Sequence, residues 1–251
     1  MNRKGSYILA ITFLLLLPSL VKAQAKSPLD DETLNRLFLT YLKSYQIEPG
    51  KSHTFTLFGP AKDPGGPWEL IDANVVWSVE PQNGAHIDSV TGEFTVSQST
   101  PPGSVFEVKA NVENGRRILA IKVYIYTSES HPLVRGWTER AQIMCGSGER
   151  LPSTTPIQEL VIWADGTFSV TWHPLETYRD YWGTYSYDMR KGKIKFTAEA
   201  GDNIPPDLDG EGYFTLTKKG ELILKGIWLG SRKEEIKPNI CGMVFTEYDG
   251  R

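Results

Sequence analysis

Histidine and cysteine are scarce in this chain: four of the first and two of the second among 251 residues. His53, His86, His131 and His173 are scattered along the sequence, without the short spacings that gather metal ligands. A glycine-flanked serine elbow and a glycine-rich phosphate loop are both absent, so the commoner hydrolase and nucleotide chemistries have no foothold. Basic blocks are lacking too. With 27 Lys and Arg against 30 Asp and Glu, the formal net charge is −3, and nothing invites nucleic acid or an anionic membrane surface. The longest apolar run, Tyr7 to Leu17, ends at Pro18 and falls short of the about 20 residues that cross a bilayer.

That run has a different use. Arg3 and Lys4 precede it, and Val21-Lys22-Ala23 follows with a small residue at its end, the layout of a cleavable signal peptide over residues 1–23. The rival is a retained membrane anchor, for which the run is short. No cysteine follows to carry a lipid, so no membrane insertion is expected after cleavage. Removal of Arg3, Lys4 and Lys22 leaves 24 basic and 30 acidic side chains, a net charge of −6. The expected location is periplasmic or extracellular. In such an oxidising compartment Cys145 and Cys241 read as one disulfide. Closing so long a loop contributes roughly 4–5 kcal/mol in the chain-entropy argument. The competing reading is a thiol nucleophile in CGSG, Cys145 to Gly148, which lacks the second cysteine and the aromatic residue of papain-like segments.

Residues 24–49 are expected to hold an N-terminal helix over 27–46. Ser27 is its candidate N-cap, Pro28 suits the first position, and Asp30, Asp31 and Glu32 suit the positive end of the dipole. Leu34, Leu37, Phe38, Tyr41, Leu42 and Tyr45 share one face at helical spacing. From Lys51 the period becomes two. Phe55 and Leu57, then Val75, Trp77 and Val79, then Val108, Ala110 and Val112, and finally Leu119, Ile121, Val123 and Ile125 alternate with polar residues. That is the pattern of strands with one buried face. Pro64-Gly65-Gly66-Pro67, Pro101-Pro102-Gly103 and Asn114-Gly115 are turn formers, the last a strong hairpin signal. Trp77-Ser78, Ile87-Asp88 followed by Thr91-Gly92, and Phe94 to Val96 resemble bacterial immunoglobulin-like domains of the group 2, intimin type, over residues 50–127. The resemblance implies a β-sandwich that spaces or presents, and it brings no site residue. The long Gly59–Pro67 loop reads as an insertion or as a contact surface.

Residues 128–132 read as a linker. Beyond them, over 133–251, strands and tight turns continue with no helical period. Gly136-Trp137, the ADGTF run of Ala164 to Phe168, and WGTYSYD followed by KGKIKF are similar to lipocalin-like (calycin-like) domains. Seven or eight antiparallel strands closed into a barrel follow from that resemblance, with a small apolar ligand as its functional implication. In a closed meander the first and last strands are neighbours, so a Cys145–Cys241 bridge would staple the seam. The whole chain is thus expected to be all-β with one short helix.

Aromatic residues crowd the stretch from Trp163 to Tyr187. Most read as core. Trp172, Tyr178, Tyr181 and Trp182 are the candidate ligand-binding residues, with the loop His173–Asp180 as a mouth. Asp207, Asp209 and Glu211 supply oxygens, but the register of a Ca²⁺ loop puts Pro205 and Leu216 at ligand positions and fails. No metal or cofactor is therefore expected. A carboxylate pair such as Glu176 with Asp180 can be nominated for hydrolysis, though nothing singles it out. The favoured function is an exported, non-catalytic binding protein carrying a small apolar ligand. A surface protein that binds a protein or glycan, and a hydrolase without a recognisable motif, are the alternatives.

Overall fold

Alternating burial organises the N-terminal half into two facing sheets. The computed structural model describes residues 28–40, 44–61, 66–153, 155–173, 179–230 and 240–248. After the helix α1 (Asp31–Asn35) come β1 (Ser44–Ile47), β2 (Ser52–Thr54), the short pair β3 (Phe58–Gly59) and β4 (Glu69–Leu70), β5 (Val75–Glu80), β6 (Ala85–Ile87), β7 (Glu93–Val96), β8 (Val105–Val112) and β9 (Arg117–Ile125). One sheet has the order β1-β9-β8-β5, the other β2-β7-β6. Between them Trp77, Val79, Phe94, Val108, Ala110 and Val123 are buried in one cluster, each large side chain contributing about 1.5–3 kcal/mol by leaving water. Phe94 meets Phe55 and Phe106 edge-on, with ring centroids 6.0 and 6.1 Å apart.

The turns are set by local chemistry. Glu113, Asn114 and Gly115 carry φ of 50, 56 and 91°, closing the β8–β9 hairpin where Asn-Gly announced it. Asp88 accepts the amides of Val90 and Thr91 at 2.9 and 2.7 Å. Gly92 follows at φ 73°, and a Cβ there would meet the Phe55 carbonyl and the Trp77 indole. The alternating residues singled out in the sequence are buried as expected, Leu119 and Val75 only partly.

The N-terminal segment corrects the expectation of a helix over 27–46 in residues 24–49. The described helix is five residues long. Its cap is Asp30, which accepts the Thr33 amide at 2.7 Å and the Thr33 hydroxyl at 2.9 Å; Ser27 lies outside the described residues. Phe38 already makes a β-bridge to Phe58, and Ser44–Ile47 is a strand pairing parallel with Lys122–Ile125 of β9. Helical spacing was misleading because β1 is covered on both faces, burying Ser44 and Ile47 three residues apart at its two ends. The edge of β9 offers backbone partners that a short isolated helix could not match.

The chain then passes through 128–132, which is tied rather than loose. Thr127 and Ser130 exchange backbone and side-chain hydrogen bonds, and Leu133 and Val134 are buried at once. The second half contains β10 (Arg135–Met144), β11 (Arg150–Pro152), β12 (Glu159–Ile162), β13 (Thr167–Thr171), β14 (Tyr181–Asp188), β15 (Lys193–Gly201), β16 (Glu211–Leu216), β17 (Leu222–Lys225) and β18 (Ile240–Glu247). Each is antiparallel to its neighbour, and β10 pairs with both β12 and β18, so the sheet closes on itself. Eight strands form the ring, with β11 a short flap along the far half of β10. Trp137, Leu160, Ile162, Phe168, Val170, Tyr181, Leu222, Leu224 and Phe245 are fully buried in a second cluster. The chain is all-β, as its alternation announced.

Candidate functional site

The two ends of the barrel differ. At one end the connections are tight: Trp163–Thr167 with Gly166 at φ 84°, Asp188–Lys193 with Gly192 at φ 62°, and Thr217–Glu221 with Gly220 at φ 80°. This end faces the sandwich. The Ser44 hydroxyl donates to Asp165 Oδ2 at 2.5 Å, the Ala164 amide donates to Gln46 Oε1 at 2.9 Å, and Tyr126 packs on the barrel cluster. Leu133 sits below the barrel core, its carbonyl accepting the Trp137 indole N–H at 2.9 Å. A water-sized cleft of about 30 Å³ remains between Ser44, Trp163, Asp165, Thr167, Arg179 and Trp182.

The opposite rim collects the longer connections: 172–180, 202–210 and 226–239. The disulfide lies here. Cys145 and Cys241 are bonded with their Cα atoms 5.1 Å apart, directly beyond the pairing of Met144 with Ile240 that ends the seam between the first and last barrel strands. The expected staple is present.

One buried carboxyl organises this rim. Asp180 is 0 % exposed. Its Oδ2 accepts the amides of Trp172 and His173 at 2.6 and 2.8 Å, and its Oδ1 accepts Asn203 Nδ2 at 3.1 Å. Its carbonyl takes the amides of Asp202 and Asn203. Two rim connections are thereby joined through one side chain. The Trp172 indole donates to the Asn203 carbonyl at 2.8 Å, and the Tyr181 hydroxyl donates to the Leu229 carbonyl at 2.6 Å, bringing the third connection into the set. Burial raises the Tyr181 pKa well above the ordinary phenol value, so the hydroxyl stays a donor.

No protein-family model and no curated protein sequence matches this chain.

Of the four expected ligand residues, Trp172 and Tyr181 come together at this rim. Trp182 does not join them. It follows Tyr181 on β14 and so faces outward, where the Arg179 guanidinium lies 5.1 Å from its ring centroid. Tyr178 and Glu176 lie outside the described residues. The pairing of Glu176 with Asp180 has lost half its case in another way: every oxygen of Asp180 is already engaged by the fold. Among the described residues, no group of three or more His, Cys, Asp or Glu is arranged around a metal position.

Sequence reasoning passed over Glu139. It is 3 % exposed and shares a face of β10 with Trp137, two residues earlier, which is fully buried. Its Oε2 accepts the Ile157 amide at 2.9 Å, while its Oε1 is buried without a hydrogen-bond partner. Burial is the main influence on this carboxyl and lifts its pKa, against the pull of the Ile157 amide and of the Ser153 and Gln142 side chains. The parity of Trp137-Thr138-Glu139 was the available signal.

Proposed function

We propose that the protein is an exported, non-catalytic binding protein in which an immunoglobulin-like sandwich holds a lipocalin-like barrel by its closed end and leaves the far rim to meet a ligand or partner. The observation that supports this reading best is the sorting of connections. Tight turns and the plug of Leu133 and Val134 lie toward the sandwich, whereas the long connections and the disulfide lie away from it. Loops on a rigid frame are where recognition is placed, and barrel mouths are common binding sites. The leader over residues 1–23 and the single disulfide both favour an oxidising compartment.

The buried ring of Trp137, Phe168, Tyr181 and Phe245 supports recognition at or just below the rim over a deep, empty cup. A protein or glycan is therefore the partner we favour, and the orphaned carboxyl of Glu139 supports a second reading with a small ligand. The test is capture from envelope fractions of the producing cell by the immobilised chain. Trp172→Ala, at the rim, is expected to abolish capture, and Met189→Ser, on the sandwich-facing turn, to leave it intact. Equal capture by both variants would remove the rim from the proposal.

A further inference from the structure

We propose that Glu139 anchors a small ligand carrying an amine on an apolar body, held within the barrel beside β10. This rests on the small-ligand reading and names its chemistry. The anchor is defined by what surrounds it. On one side of β10, Glu139 pairs with Phe245, which is fully buried. On the other side no strand runs beside it: β11 has ended at Pro152 and β12 does not begin until Glu159. Among the described residues, Ile157 spans the gap, accepting the Glu139 amide at 3.0 Å and donating to its Oε2 at 2.9 Å. The barrel wall thus lacks a paired strand on one side where its interior carries an acid.

The remaining oxygen carries the argument. Oε1 is out of reach of solvent and has no hydrogen-bond partner of its own, an unfavourable state for a buried acceptor. Gln142 and Ser153 stand close by and are joined to each other, Gln142 Nε2 to Ser153 Oγ, at 3.2 Å. They set polar groups beside an acid whose neighbours Trp137 and Phe245 are fully buried. An ammonium group supplies what Oε1 lacks: a donor, and a positive charge that makes the ionised carboxylate tolerable in an apolar surrounding. A hydroxyl supplies the donor without the charge, and a carboxylate adds repulsion. The raised pKa agrees with this, because burial outweighs the pull of Ile157, Ser153 and Gln142, and a cation would add to that pull.

The probes are octylamine, octanol and octanoate, titrated calorimetrically into the oxidised full chain at neutral pH. Octylamine is expected to bind at least about ten-fold more tightly than octanol, with octanoate unmeasured, and Glu139→Gln is expected to erase the preference for the amine while octanol binding persists. The titration of the Glu139 carboxyl in the unaltered protein, followed by carbon-13 NMR, should shift to lower pH when octylamine is added. Equal binding of octylamine and octanol, an amine preference that survives Glu139→Gln, or a carboxyl resonance that ignores the amine would each overturn the anchor while leaving a barrel ligand in place. Failure of all three probes to bind at millimolar concentration would overturn both the anchor and the small-ligand reading.

Discussion

Removing the carboxyl of Asp180 should cost the barrel about 3–5 kcal/mol. The side chain is wholly buried and accepts three hydrogen bonds, two from backbone amides of Trp172 and His173 and one from Asn203. Hydrogen bonds to a carboxylate contribute about 1.5–3 kcal/mol each, and a buried donor left alone costs about 1–3 kcal/mol. Three such bonds would sum higher than the expected loss, but Asp180→Ala also removes the cost of burying the acid itself. Asp180→Asn keeps one acceptor oxygen and turns an NH₂ group toward existing donors, so its loss should fall between, at about 1–3 kcal/mol. Urea unfolding followed by tryptophan fluorescence is a suitable assay. Five of the seven tryptophans, Trp137, Trp163, Trp172, Trp182 and Trp228, belong to the barrel half. A loss below about 1 kcal/mol for Asp180→Ala would refute the idea that this carboxyl ties the rim together.

Three further outcomes follow from the same structure. The Cys145→Ala/Cys241→Ala double variant opens a bridge with a sequence separation of 96 and should lose about 4–5 kcal/mol against the oxidised chain in urea; an unchanged midpoint would contradict the staple. His53 is half-buried against Tyr45, whose hydroxyl lies 2.8 Å from its Nδ1, and that partial burial holds its pKa below the ordinary 6.5. The unfolded chain therefore takes up that proton first, so stability should fall as pH drops through about 6.5 and level off below the folded value. His131 is shifted the same way by burial, so His53→Gln should flatten the decline without abolishing it; an unchanged slope would discount the burial of His53. Gly92→Ala forces a side chain into φ 73° against the Phe55 carbonyl and the Trp77 ring. It should lower stability by about 2–3 kcal/mol in thermal denaturation, and a neutral result would show that the turn can relax.

Alternation made most of the fold legible before any coordinates. Val108, Ala110 and Val112 could face only one way in a two-sided sheet, with Lys109 and Asn111 between them turned to the other face. The same rule failed over residues 24–49. There Leu34, Leu37, Phe38 and Tyr45 satisfy a helical face, but a neighbouring strand edge more than seventy residues away decides the outcome, and a local pattern carries no record of it. The site was harder for the same reason. Trp172 and Tyr181 were picked for their size, whereas the groups that set the rim, Asp180 and Asn203, are ordinary polar residues in turn-rich sequence. Their importance comes from being brought within hydrogen-bonding distance across two connections. Trp182 shows that adjacency in sequence is a poor guide in a strand, since Tyr181 beside it takes the opposite face.

The two ends of the barrel are stabilised by different physics, and that difference bears on function. Toward the sandwich, Leu133, Val134 and Trp137 bury apolar surface beneath tight turns, a form of cohesion that tolerates no small opening because each contact depends on its neighbours. At the rim, cohesion is local and polar. One disulfide closes the seam, one carboxyl joins 172–180 to 202–210, and one phenol reaches Leu229. Each polar link ties one connection to the barrel through a single side chain, so a single substitution loosens a single connection. A surface that must accept a ligand benefits from that arrangement, and a surface that only seals a domain does not need it. The placement of the disulfide fits the same logic, because a covalent tie limits how far the first and last barrel strands can part at this rim.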